Sequence, residues 1–163
     1  MFGEMSHEME VEVPASEAWD LFGTLRIGKL VVNLKHLFQS VELVDGDGGV
    51  GTILELTFAP GIPGLTSYKE KFTKIDNENR IKETEVVEGG LLDMGFTLYR
   101  IHFQVFEKGE ASCSVKSTIE YELPNELAAN ASLVSIDPLV MIFDLAKEHL
   151  LSLHGNTKPP AVS

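Results

Sequence analysis

The segment SYKEKFTKI, residues 67–75, combines groups capable of acid–base chemistry with an alternating pattern of aromatic residues. In an extended strand, Tyr68, Glu70 and Phe72 share one face, and the two aromatic side chains indicate that this face is buried. Burial disfavours the charged form of a carboxyl group and raises its pKa, which makes Glu70 a candidate general base. Two other arrangements remain open: an edge strand with Glu70 in water, and a register shift at a bulge.

The next segment, RIKETEVVE at residues 80–88, offers a partner for that carboxylate. Lys82 shares a face with Thr84 and Val86, but neither face of this strand is clearly apolar, and a lysine in such a strand is usually solvated. If Lys82 instead points inward, it lies near the strand of Glu70, and the pKa values of the two groups are coupled. An ammonium group and a carboxylate in one cavity could polarise a carbonyl group and move a proton.

Composition and charge limit the other kinds of function. The chain has 163 residues, which suits one domain, and a formal net charge of −12, which repels phosphate backbones and anionic membranes. We therefore expect neither a nucleic acid nor a membrane as a partner. The five histidines are scattered, and the single cysteine, Cys113, is interpreted as a small core residue. Because the histidines are scattered, we expect no metal site. The N-terminus does not resemble a secretory signal, so we expect a cytoplasmic protein.

A glycine-rich loop, DGDGGVGT at residues 45–52, matches the pattern G-x-G-x-x-G of dinucleotide-binding proteins. The segment TILELTF that follows alternates and contains β-branched residues, which predicts a strand. A phosphate cradle requires the N-terminus of a helix directly after the glycines. The loop is therefore predicted to be a hairpin turn between two strands, and no nucleotide cofactor is expected.

The order of the predicted elements indicates an α+β fold. A strand at 8–13 precedes two short helices, the first ending near Gly23 and the second at about 25–37. Six strands and a long helix follow, at about 40–44, 52–58, 67–75, 80–88, 95–106, 111–122 and 126–153. Pro138 is expected to kink the long helix or set its start. We predict a seven-stranded, strongly curved antiparallel sheet wrapped around this C-terminal helix, with an internal pocket.

The chain contains no internal repeat and no linker between domains. It therefore predicts a single ligand-binding or catalytic domain over residues 1–154. The remaining segment, 155–163, is rich in proline and polar residues and is predicted to be a disordered tail.

Five segments carry a resemblance to a known family: GDGGVGTILELTFAPG, SYKEKF, IDNENRIKE, VEGGLLDMG and SCSVKSTIEYE. With the order of the elements, they make the chain resemble the plant pathogenesis-related class ten proteins, which have the fold of the major birch pollen allergen. Within these, it is most similar to the norcoclaurine synthase branch, over about residues 6–153. The resemblance implies a cofactor-free Pictet–Spengler condensation of an arylethylamine such as dopamine with an aldehyde such as 4-hydroxyphenylacetaldehyde, in benzylisoquinoline alkaloid metabolism.

The resemblance also implies roles for individual residues. Lys82 matches the family's catalytic lysine, which engages the aldehyde or the catechol, and Glu70 matches the base that removes the ring proton. Tyr68 matches a tyrosine that hydrogen-bonds in the site. The implied pocket residues are Leu54, Leu56, Phe58, Phe72, Leu91, Tyr99 and Ile101.

Two of these positions depart from the pattern of the synthases. Ile101 stands where they carry an aspartate, the expected proton donor as the carbinolamine loses water, and Leu91 stands where they often have a tyrosine. Since isoleucine cannot donate a proton, a slow enzyme or one with other substrates is expected. The alternative is a non-catalytic protein that binds a hydrophobic plant metabolite such as an alkaloid or a hormone, or a defence-related protein. In each case we expect a monomer or a weak homodimer.

Overall fold

The structure is a computed structural model that describes residues 1–61 and 65–155. Within these residues, the sheet has seven antiparallel strands in the order β1-β7-β6-β5-β4-β3-β2. The strands are β1 Phe2–Val11, β2 Phe38–Asp45, β3 Ile53–Phe58, β4 Ser67–Asp76, β5 Ile81–Gly89, β6 Leu98–Gly109 and β7 Ser112–Glu122. The helices are α1 Ala15–Phe22 and α2 Arg26–Val31, which follow β1, and α3 Asp137–Gly155, which comes last. The predicted fold class is confirmed.

The core lies between the inner face of the sheet and the helices. Helix α3 buries one stripe of side chains at helical spacing, namely Leu139, Phe143, Ala146 and Leu150. The ring of Phe143 lies 5.4 Å from that of Phe22 in α1 and 6.4 Å from that of Phe103 in β6, measured between centroids. Cys113 is fully buried in this core, as its interpretation as a small core residue predicts.

The helical segments are shorter than the sequence pattern indicates. Helix α2 ends at Val31 rather than near residue 37, and just beyond it the Asn33 side chain donates to the carbonyl oxygen of Leu30, which competes with helix continuation. The predicted helix at 126–153 is divided into a 3₁₀ helix, Asn125–Leu133, and α3, with extended backbone at Val134. Pro138 occupies the first turn of α3, where its missing N–H costs nothing, so it sets the start of the helix.

The boundary of the predicted tail needs a small correction. Helix α3 runs to Gly155, the first residue of that tail. The rest of the prediction, for residues 156–163, lies outside the described residues.

The segment Asn125–Leu153 has the length and hydropathy that would allow a helix to cross a membrane. In the fold it is interrupted at Val134, and α3 packs its buried stripe against the sheet. Burial in the core accounts for that stripe only, since Leu127, Leu133, Met141, Leu151 and Leu153 of the same segment are exposed.

The glycine-rich loop joins β2 to β3, as predicted. Gly46, Gly48 and Gly51 have left-handed φ values of 94°, 105° and 95°, a region that side chains other than glycine resist. The buried Thr52 hydroxyl accepts a hydrogen bond from the amide of Gly48 at 2.8 Å and so fixes the turn. No helix follows the loop.

We predict that Ser117→Ala stabilises the protein. The Ser117 hydroxyl is fully buried on β7 and has no hydrogen-bond partner among the described residues. Because an unpaired buried hydroxyl costs about 1–3 kcal/mol, its removal should raise the free energy of unfolding by about 1 kcal/mol in urea denaturation. Ser114→Ala is the matched control, because the equally buried Ser114 donates to Glu8 and its loss should destabilise the fold. Equal losses in the free energy of unfolding of Ser117→Ala and Ser114→Ala would contradict the prediction.

Candidate functional site

Two adjoining hollows lie between the sheet and the helices. The inner chamber has a cavity volume of about 70 Å³ and contains the side chains of Lys82, Glu70 and Thr84 in its wall. The outer chamber has a volume of about 320 Å³ and a mostly apolar wall. The residues that line both chambers are Phe38, Tyr68, Ile101, Leu139 and Ile142.

Lys82 is held in the inner chamber by the C-terminal end of α1. Its side chain is only 2% exposed, and its ammonium group donates to the carbonyl oxygens of Phe22, at 3.3 Å, and Thr24, at 3.4 Å. Carbonyl groups at the end of a helix lack partners within the helix and attract a positive charge. The Lys82 nitrogen also lies 4.0 Å from the centroid of the Phe72 ring, a cation–π contact.

Burial outweighs these contacts in setting the protonation of Lys82. Loss of solvation lowers the pKa of the Lys82 ammonium to about 8, and the negative charge of Glu70 opposes this effect. Near neutral pH, a small change in the surroundings can therefore move a proton on or off this nitrogen. Such a group is suited to proton transfer in a way that a solvated lysine is not.

Glu70 projects from β4 into the same chamber. Burial raises the pKa of its carboxyl group, while the charge of Lys82 and a hydrogen bond from Thr84 lower it. That bond runs from the Thr84 hydroxyl to Glu70 Oε2 at 3.5 Å. Bulges interrupt the pairing of β4 with β5 on both sides of Glu70, yet Tyr68, Glu70 and Phe72 all reach the chamber wall.

Lys82 and Glu70 face the same space without touching. Among the ion pairs of the described residues, none joins these two groups, although each shifts the pKa of the other. The proton donor and the proton acceptor therefore line one cavity without pairing directly. An apolar wall around them strengthens their electrostatic effect on whatever lies between.

Two tyrosines lie in the walls of the chambers. Tyr68 lies between the chambers, and Tyr99 lines the outer chamber. Burial raises the pKa of Tyr68 well above its usual range, with smaller contributions from Glu70 and Tyr99, and raises the pKa of Tyr99 to about 12. Both phenols therefore stay protonated and can donate hydrogen bonds to a ligand.

Every predicted pocket residue lies in the wall of one chamber or both. Those of the inner chamber are Leu54, Leu56, Phe72 and Ile101, and those of the outer chamber are Phe58, Leu91, Tyr99 and Ile101. Their catalytic or binding roles stay predictions. Ile101 is the cross-strand neighbour of Thr84, so an apolar side chain stands beside the Glu70–Thr84 hydrogen bond.

Sequence reasoning did not assign a role to Thr84 or to the carbonyl groups of Phe22 and Thr24. The two-residue period on β5 places Thr84 on the same face as Lys82, and this signal could have identified it. The two carbonyl groups gave no signal, because they belong to the backbone of a helix end. Among the described residues, no three His, Cys, Asp or Glu side chains converge as a metal site would require.

Comparison with known proteins places this fold and site in a family. The model of the pathogenesis-related protein Bet v 1 family matches residues 1–152. The chain belongs to the Bet v 1 family. The resemblance on which the sequence analysis relied is thereby confirmed.

Within the Bet v 1 family, the chain is similar to two curated synthases. It is 48% identical over 157 residues to norbelladine synthase from Narcissus pseudonarcissus, with 96% of each chain covered. It is 38% identical over 152 residues to S-norcoclaurine synthase 2 from Papaver somniferum, covering 91% of this chain but only 65% of that protein. The chain therefore spans less than two thirds of the length of the Papaver enzyme.

A solved structure of a synthase has the same fold as this chain. The X-ray structure of norcoclaurine synthase from Thalictrum flavum in complex with dopamine and hydroxybenzaldehyde superposes with a TM-score of 0.82 at 36% identity. The superposition covers 93% of this chain and 88% of that one. A member of this family thus accommodates an amine and an aldehyde together.

Proposed function

We propose that this protein condenses an arylethylamine with an aromatic aldehyde in a Pictet–Spengler reaction. The observation that carries the proposal is the placement of Lys82 and Glu70 around one small apolar chamber without a direct ion pair. The similarity to norbelladine and norcoclaurine synthases supports the same class of substrates.

The size of the chambers determines how the substrates are arranged in this proposal. A dry cavity of about 150 Å³ is needed to hold one benzene ring. The inner chamber, at about 70 Å³, takes the amine and carbonyl groups but not a ring in addition, whereas the outer chamber, at about 320 Å³, has room for the rings. The reacting atoms then lie between Lys82 and Glu70.

The proposed reaction begins with the addition of the amine nitrogen to the carbonyl carbon. The Lys82 ammonium donates a hydrogen bond to the carbonyl oxygen, and a proton moves from the amine nitrogen to this oxygen to give the carbinolamine. Lys82 then gives its proton to the carbinolamine hydroxyl, which leaves as water and produces an iminium ion. The electron-rich ring forms a carbon–carbon bond with the iminium carbon, and Glu70 accepts the proton that the ring then loses. Transfer of this proton from Glu70 to neutral Lys82 restores both groups.

The direct test is to incubate the purified protein with dopamine and either 4-hydroxybenzaldehyde or 4-hydroxyphenylacetaldehyde. We expect a cyclised product enriched in one enantiomer, since a chiral chamber presents one face of the iminium ion to the ring. Chiral chromatography separates this product from the racemate that forms in buffer. A racemic product at the buffer rate with both aldehydes would overturn the proposal.

The pH dependence of kcat/KM is predicted to be bell-shaped. Glu70 must be ionised to accept a proton, so the rate falls as the pH drops through its raised pKa. Lys82 must be protonated to donate, so the rate also falls as the pH rises above about 8. Because the two groups interact, the two limbs describe the pair rather than either residue alone.

Thr84→Val provides the control for titration of the substrates themselves. Removal of the hydrogen bond from Thr84 should raise the pKa of Glu70 further and move the acid limb to higher pH. Ionisation of dopamine is a property of the substrate and does not respond to this substitution. An acid limb at the same pH in both proteins would contradict the role given to Glu70.

A second candidate function is the binding of a hydrophobic metabolite without catalysis. It is favoured by Ile101 and Leu91, which make the wall of the outer chamber more apolar than an aspartate and a tyrosine at these positions would. Titration with an environment-sensitive dye, followed by displacement with an alkaloid, tests it. Tight binding of the alkaloid by a protein without condensing activity would support this function over the first.

A further inference from the structure

A surface groove adjoins the inner chamber and shares no lining residue with the outer chamber. It runs between α2 and the β2–β3 hairpin and has a volume of about 320 Å³. Three residues line both this groove and the inner chamber: Gly28, Val41 and Leu54. Only this thin wall therefore separates the site of Lys82 and Glu70 from a second face of the protein.

Gly28 is the weak point of this wall, and neither its backbone nor its neighbours require a glycine. It lies in the middle of α2, where glycine is a poorer helix former than alanine. A Cβ atom at this position would lie 3.5 Å from Leu54 Cδ1 and 3.6 Å from Val41 Cγ1, which are ordinary van der Waals distances. An alanine would thus fit and would join α2 to the sheet, so the missing methyl group leaves a gap rather than avoiding a clash.

We propose that Gly28 keeps a side passage open between the inner chamber and this groove, wide enough for water and other molecules of a few atoms. The passage is bounded by Gly28 on α2, Val41 on β2 and Leu54 on β3. It leaves the inner chamber on a different side from the outer chamber, whose wall is formed in part by α3.

The passage has a use in the proposed condensation, and this part of the inference rests on that function. Each turnover releases one water molecule beside Lys82, in a chamber of about 70 Å³. While the rings of the substrates fill the outer chamber, that route is closed to the water. A side passage allows the water to leave before it adds back to the iminium ion, without requiring the larger product to move.

Reductive methylation of Lys82 tests the side passage by a reaction that does not depend on the proposed condensing activity. Formaldehyde is small enough for the passage and forms an imine with the neutral amine of Lys82. Dimethylamine–borane then reduces this imine and leaves a methyl group on the nitrogen. Brief exposure followed by peptide mass spectrometry gives the methylation rate of Lys82, with the exposed Lys71 and Lys147 as internal references. We expect Gly28→Ala to lower the Lys82 rate severalfold and to leave the reference rates unchanged.

Two further variants distinguish the side passage from the outer route. Val41→Ala removes the opposite wall and should raise the Lys82 rate, and combined with Gly28→Ala it should restore the wild-type rate. Leu133 lines the outer chamber and is 48% exposed, so Leu133→Trp narrows the mouth of that chamber. A loss of rate in Leu133→Trp but not in Gly28→Ala would show that formaldehyde enters through the outer chamber and would overturn the proposal.

Thermal melting separates closure of the passage from damage to the fold. Gly28→Ala should melt at a higher temperature than the wild type, because alanine favours the helix and contacts Val41 and Leu54. If the protein condenses amines with aldehydes, this more stable variant should nevertheless turn over severalfold more slowly. A slower turnover with an unchanged Lys82 methylation rate would mean that Gly28 only makes room for substrate, and the passage would be rejected.

Discussion

Lys82→Met is expected to reduce the rate of condensation by about 10²–10⁴-fold, the usual contribution of a positioned acid–base group. Methionine has a similar length and fits beside the Phe72 ring, but it cannot donate a proton to the carbonyl oxygen or to the leaving hydroxyl. The hydroxyl groups in the wall of the inner chamber, those of Thr24, Tyr68 and Thr84, are weaker acids than an ammonium group whose pKa is about 8. Product formation with dopamine and 4-hydroxyphenylacetaldehyde measures the loss.

The same substitution should not destabilise the protein at neutral pH. Burial already disfavours the charged form of Lys82, and Glu70, whose pKa is raised by burial, can take up a proton once its positive neighbour has gone. Lys71→Met is the matched control, since Lys71 lies on the same strand as Glu70 and is exposed on the other face. Loss of activity in both variants, or an unfolded Lys82→Met protein, would contradict this account.

The free energy of unfolding should also depend on pH differently in the wild type and in Lys82→Met. The pKa of Lys82 is about 8 in the folded protein and 10.5 in the absence of the fold, so between these values the unfolded chain binds more protons. The free energy of unfolding of the wild type should therefore rise from about pH 8 to pH 10.5, relative to Lys82→Met. Urea denaturation across this range gives the comparison without any substrate.

Ile101→Asp is expected to accelerate condensation by about 10²-fold, the lower end of the contribution of a general acid. Ile101 lies in the wall shared by both chambers, beside the place where the carbinolamine forms in the proposed reaction. Ile101 is partly buried against the apolar core. Desolvation there raises the pKa of a carboxyl group and so favours a protonated aspartic acid that can donate. The dehydration step then no longer depends on Lys82 alone.

Ile101→Asn controls for the changed shape and polarity of the wall. Both substitutions lose buried methyl groups and add a polar group, at a cost of about 2–4 kcal/mol in stability, so assays belong well below the melting temperatures. Asparagine has nearly the shape of aspartic acid but no acidic proton. Similar rates for the two variants would rule out a missing proton donor as the reason for slow condensation.

The sequence predicted the elements of the site better than the arrangement of its charges. Alternation along β4 put Glu70 on one face with Tyr68 and Phe72, because neighbouring residues of a strand point to opposite faces, but it left open whether that face was buried. The orientation of Lys82 could not be decided in this way. It depends on the carbonyl groups of Phe22 and Thr24, which lie 60 and 58 residues away along the chain.

The division of the pocket into two chambers was also beyond the sequence pattern. It depends on Phe38 from β2 and Ile142 from α3, which the tertiary fold places in the walls of both chambers. The 3₁₀ helix Gly90–Met94 lies between the predicted strands 80–88 and 95–106, where no helix was predicted. Gly89 and Gly90, with φ values of 77° and 56°, reverse the chain there and bring it against the Tyr68 side chain.

The pairing of β1 with β7 has a consequence for how the protein is made. Phe2 lies opposite Glu122, so the strand of this sheet that is synthesised first pairs with the strand that is synthesised last. Contacts between such distant parts of a chain form slowly, and an unpaired strand is exposed to aggregation in the meantime. The exposed face of β1 carries Glu4, Glu8 and Glu10, and these negative charges repel other nascent chains until β7 arrives.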